Sequence, residues 1–112
     1  MLSQVPAMSD QTVYRIIISD RAKHLLGSHL QYLAQVSPQA ASALKDQLLA
    51  AIRSLETMPH RCPFFNEAYI PANKYHKLLA ENRYLILYQI KDTCVYVDYV
   101  LDCRQDYQWL LR

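Results

Sequence analysis

KYHKLLAENRYLILYQIKDTCVYVDYVL, residues 74–101, is the stretch on which the fold turns. It holds three runs rich in tyrosine and branched apolar residues, at 74–80, 83–90 and 94–101. The breaks between them, Glu81-Asn82 and Lys91-Asp92-Thr93, are short enough to be hairpin turns. The stretch therefore predicts a three-stranded antiparallel meander. Alternation sorts its side chains into two faces. In the middle run Tyr84, Ile86, Tyr88 and Ile90 share one face, and Arg83, Leu85, Leu87 and Gln89 share the other. In the first run Tyr75, Lys77 and Leu79 alternate with Lys74, His76 and Leu78.

Upstream, VYRIIIS (13–19) is a β-branched run of strand length, ending at Ser19-Asp20, either of which can cap a helix. From there the period changes. Ala22, Leu25, Leu26, His29, Leu30, Leu33 and Val36 recur at three and four residues, as on an amphipathic helix. Ser37-Pro38 starts a second helix, which carries Ala41, Leu44, Leu48, Ala51, Ile52 and Leu55 on one stripe until Met58-Pro59 stops it. So short a connection folds the two helices back as an antiparallel hairpin. Residues 59–73, PHRCPFFNEAYIPAN, hold three prolines and no period, and read as a surface loop. Residues 1–12 read as a flexible leader, and 13–112 as a single domain.

The expected class is α+β. An N-terminal strand precedes a helix hairpin packed on one face of a largely antiparallel four-stranded sheet, and a short C-terminal helix follows. The hairpin can cover one sheet face only, so the other is the place to look for function.

Composition narrows the chemistry. At 112 residues and 52% hydrophobic the chain can bury a real core as one domain. A net charge of +2 is too small for a saturated basic stripe, so any nucleic-acid surface is local. The single glycine, Gly27, leaves no glycine-rich phosphate loop. Three scattered cysteines make neither a disulfide framework nor a zinc motif, and no metal or cofactor is expected. With no apolar run of membrane length and no secretory pattern in MLSQVPAMSDQ, the expected location is the cytoplasm, without membrane contact.

Four phrases, in this order and spacing, carry a family resemblance: VYRIIISDRAKHLL, AIRSLETMPHRCP, YHKLLAENRYLILYQI and VLDCRQDYQWLL. Together they cover residues 13–112 and resemble the RelE/ParE toxin superfamily of bacterial type II toxin–antitoxin systems. The resemblance implies a small toxin held inactive by a cognate antitoxin. The activity it implies first is that of a metal-independent mRNA endoribonuclease (an mRNA interferase) working on the ribosome. The alternatives are ParE-like inhibition of DNA gyrase without catalysis, or a degenerate member that only binds its antitoxin.

For a ribonuclease, cations must stabilise the pentacovalent phosphorane while another group moves a proton. The resemblance assigns catalytic roles to Arg83, Arg104 and Tyr107, and substrate binding to Lys74 and Lys77. It places Lys77 and Arg83 together on the open face, and Arg104 where ribonucleolytic relatives keep a phosphate-binding arginine. Two positions depart from that pattern. Leu85 occupies the site of the usual strand arginine, roughly 7 Å along the strand from Arg83. Asp106 stands where a histidine precedes the terminal tyrosine, and reads as a carboxylate at a helix start. His24, His29 and the tyrosines Tyr84, Tyr88 and Tyr96 read as packing residues, and His76 as facing the helix side or an edge.

Overall fold

The computed structural model of the protein describes residues 12–68 and 70–103. Strand β1 (Arg15–Ile18) leads into helices α1 (Asp20–Ala34) and α2 (Pro38–Arg53), and then into two single 3₁₀ turns, Ser54–Glu56 and Pro59–Arg61. Strands β2 (His76–Ala80), β3 (Tyr84–Lys91) and β4 (Cys94–Asp102) form the expected meander. β1 joins it in parallel beside β4, giving the order β1-β4-β3-β2. The expected C-terminal helix lies outside the described residues, as does the leader up to residue 11.

Local chemistry sets the ends of the elements. The Ser19 hydroxyl accepts from the Ala22 amide at 3.0 Å, and the Ser37 hydroxyl from the Ala40 amide at 3.1 Å. Each cap satisfies one of the first-turn donors that a helix leaves without an internal partner. Pro38 then occupies the first turn of α2, where a missing N–H costs nothing. Between β2 and β3, Glu81 and Asn82 both lie in the left-handed region, at φ 54° and 55°, and the Arg83 amide closes the turn onto Ala80 O at 3.1 Å. Turns of this hand match the twist of a hairpin.

The core lies between the helix hairpin and one sheet face. Leu48, Ile52, Leu55, Ile86, Tyr88, Val95, Val97 and Val100 are all buried there. Each such side chain contributes about 1.5–3 kcal/mol by leaving water. Because β1 ends at Ile18, the rest of the β4 edge needs other partners. It finds them at the start of α1 and along it: the Ser19 amide donates to Val97 O at 2.9 Å, and His29 Nε2–H to Val100 O at 2.8 Å.

Two features differ from the sequence reading. The segment at 59–73, expected as a surface loop, is pinned to the sheet: Tyr88 donates its hydroxyl to Pro59 O at 2.7 Å and His76 Nδ1–H donates to Cys62 O at 2.8 Å. Next to it, Phe65 N bonds Tyr75 O and Lys77 N bonds Pro63 O, extending the sheet briefly beyond β2. As a result the second face is not bare. Phe65, Tyr75, Leu85, Leu87 and Leu101 form a smaller buried cluster on it. A strand face rich in leucine needs a cover, and this proline-rich segment supplies part of it.

Candidate functional site

The register of β3 against β4 holds an irregularity. Leu87 faces Tyr99 and Tyr88 faces Val97, so Asp98 is the extra residue of a β-bulge. A bulge breaks the period of two, so Asp98 and its neighbour Tyr99 both turn to the face away from the helices. The carboxylate then meets two donors, one from β3 and one from the segment just before β2. Tyr75 Oη–H and Gln89 Nε2–H both end on Oδ2, each at 3.0 Å. The Tyr75 and Tyr99 rings meet edge-on with centroids 5.8 Å apart, and the Arg21 guanidinium of α1 lies 4.6 Å over the Tyr99 ring. Burial, with the Asp98 carboxylate adding to it, pushes the Tyr75 hydroxyl up to about 12, so it remains a donor across the physiological range.

Among the sequence-expected residues, Lys77 stands exposed on this same face, its ammonium 5.8 Å from the Phe65 ring. It borders a groove of about 510 Å³ lined by Arg61, Pro63, Leu78, Leu79 and Leu85 among others. Arg61 is spent there on local carbonyls and the Ser54 hydroxyl. Lys74 precedes β2 instead of lying in it, exposed and 5.4 Å from the Tyr75 ring. Arg104 and Tyr107 lie outside the described residues.

Arg83 departs from its expected place on the open face. It closes the hairpin turn, one residue before strand alternation begins at Tyr84. From there its guanidinium reaches Asp102 Oδ2 with Nη2 at 2.7 Å and Nε at 3.1 Å, and covers the Tyr84 ring. Asp102 and Tyr84 are register partners on the helix-covered side, and the carboxylate is buried. Two charge-assisted N–H bonds onto one oxygen of a buried anion tie Arg83 to the fold. Lys77 and Arg83 are therefore not brought together, and buried Leu85 puts no charge between them.

The Tyr75–Gln89–Asp98–Tyr99–Arg21 cluster goes beyond the sequence reading. The signal available was an aspartate inside a strand run, a residue that strands disfavour. Among the described residues no three histidine, cysteine, aspartate or glutamate side chains converge as metal ligands. None of the described helices is long and apolar enough to cross a membrane.

Residues 16–107 match a family described as the ParE toxin of the type II toxin–antitoxin system parDE. Among solved structures, a chain of the chromosomal ParDE toxin–antitoxin system from P. aeruginosa superposes with a TM-score of 0.66. It covers 82% of this chain and 98% of its own, at 11% identity, which is a likeness of fold. None of the curated proteins compared matches the sequence.

Proposed function

The chain belongs to the ParE toxin family of type II toxin–antitoxin systems, and on that premise we propose that it acts without catalysis, in the cytoplasm, by binding DNA gyrase as a protein target. As a ParE-type toxin it pairs with an antitoxin. The observation that carries the choice of a protein target is the charge on the open sheet face: the Asp98 carboxylate stands there. Two like charges 4 Å apart repel by about 1 kcal/mol in water and about 4 kcal/mol near a protein surface. A phosphate laid on this face meets that penalty. Arg21 over the Tyr99 ring, with Lys74 and Lys77, offsets part of it, but Arg83 is bound to Asp102 and the usual arginine position is buried Leu85.

A ribonuclease remains the second reading, favoured by Lys77, which is exposed and forms no ion pair with a described residue. The test uses the purified chain in two assays: supercoiling by gyrase, and mRNA integrity in a translation extract. The expected result is inhibited supercoiling with intact message. Message cleavage that disappears in Lys77→Ala, with supercoiling untouched, overturns the proposal. No effect in either assay, with no growth defect on expression, points to a degenerate antitoxin-binding member.

A further inference from the structure

The outer edge of β2 is only half covered. The strand order leaves β2 at one end of the sheet, and the segment at 63–65 pairs with the first part of its edge: Phe65 N–H donates to Tyr75 O and Lys77 N–H to Pro63 O. Backbone groups along a strand alternate in direction, so those of Leu79 point outward as those of Lys77 do. There the cover has ended. The Leu79 amide and carbonyl have no hydrogen-bond partner among the described residues. The groove of about 510 Å³ lies at this point, bordered by both Pro63 and Leu79, and the Leu79 side chain is 53% exposed.

We propose that this edge receives an extended acidic segment of a protein partner, paired through its backbone to Leu79, with an apolar side chain against Leu79 and Leu85 and a carboxylate at Lys77. Open strand-edge N–H and C=O groups are matched by extended peptide, whereas nucleic acid offers no such ladder. The apolar lining of Leu78, Leu79 and Leu85 selects the apolar side chain. Charge selects the carboxylate, because Arg61 and Lys77 border the groove and no acidic residue lines it among the described residues. Arg61 bonds neutral acceptors, the Thr57 and Met58 carbonyls and the Ser54 hydroxyl, and Lys77 lies over the Phe65 ring, so neither charge is neutralised by a described carboxylate. Asp98 stands on β4, two strands in from the edge and about 10 Å across the ladder, a distance at which salt screens it. A second copy of the chain is the wrong occupant, since pairing two such edges brings the same cations together. Such an edge contact is independent of the gyrase reading.

The experiment titrates the isotopically labelled full chain with acetyl-Glu-Thr-Val-Thr-Glu-amide, whose valine and glutamates share one face in either strand direction, followed by NMR and amide hydrogen exchange. The expected result is saturable shifts at Lys77 and Leu79, with exchange of the Leu79 amide slowed in the complex. Binding should weaken about threefold when glutamine replaces both glutamates and about tenfold in Lys77→Glu, the scale of exposed charge pairs. Methylating the valine nitrogen should cost about tenfold, as loss of a backbone hydrogen bond does. No saturable shift at millimolar peptide, or equal binding by the glutamine and N-methyl peptides, overturns the proposal. So does a Leu79 amide already protected in the free chain, because a second copy or another segment of the chain then holds the edge. Saturable shifts of the same two amides with a single-stranded RNA pentamer, and none with the peptide, make the edge a nucleic-acid surface instead.

Discussion

Replacing Arg83 by leucine should unfold the protein more readily rather than merely silence it. The guanidinium makes two bonds to Asp102 Oδ2, and the side chains of the pair are 31% and 2% exposed. Removing one partner of a fully buried ion pair costs about 3–5 kcal/mol, because the charge left behind stays out of water. Here the arginine end is partly solvated, which screens the pair and lets water reach part of the vacated space. A loss of about 2–3 kcal/mol is the consistent figure. For a domain near 100 residues that lowers Tm by roughly 10 °C or more. The Cys103 amide bond to Arg83 O belongs to the backbone and survives the change. The assay is urea unfolding followed by circular dichroism on Arg83→Leu, Asp102→Leu and the double variant. The pair is coupled, so the double variant should lose about 2 kcal/mol less than the sum of the single losses. If Arg83→Leu unfolds within 2 °C or so of the wild type, or the single losses simply add, the Arg83–Asp102 pair does not hold the fold.

Two further outcomes follow from local geometry. Tyr75→Phe removes one of the two donors to Asp98 and should cost about 1 kcal/mol at neutral pH. Its pH dependence has a definite sign. The hydroxyl is raised from 10.0 to about 12, so its stabilisation is complete below pH 10 and is lost as pH climbs toward 12. Alkaline unfolding curves should show a shallower fall in Tyr75→Phe across that window. Some fall should remain, because burial also raises Tyr88. At the β2–β3 turn, Glu81 and Asn82 both hold positive φ, which glutamate tolerates poorly. Changing the pair to Asn-Gly should raise stability by about 1 kcal/mol, read as a higher urea midpoint with unchanged slope.

Legibility in the sequence differs between fold and site. The helix hairpin, both caps and the meander are readable because periodicity, Ser-Pro chemistry and short polar breaks act within a few residues of themselves. His76 turns to the helix side for the same reason, by alternation along β2. The site is not readable in this way. Extending β3 alternation back one residue puts Arg83 on the open face, but that residue belongs to the turn. The buried cluster around Leu85 and Leu87 depends on a segment beginning some twenty residues earlier, whose lack of period hides where it docks.

By itself the sequence determined which segments become helix or strand, which are adjacent, and which side chains of β2 and β3 share a face, because those properties follow from local steric preference and a period of two. Tertiary structure alone decided the second half of β4. A bulge is a mismatch in count between two strands, and neither strand carries it alone. Strict alternation along 94–102 would put Asp98 and Asp102 on the same face. The one-residue slip opposite Leu87 and Tyr88 separates them. Asp102 goes inward to hold Arg83, while Asp98 stays on the open face with Tyr99 beside it.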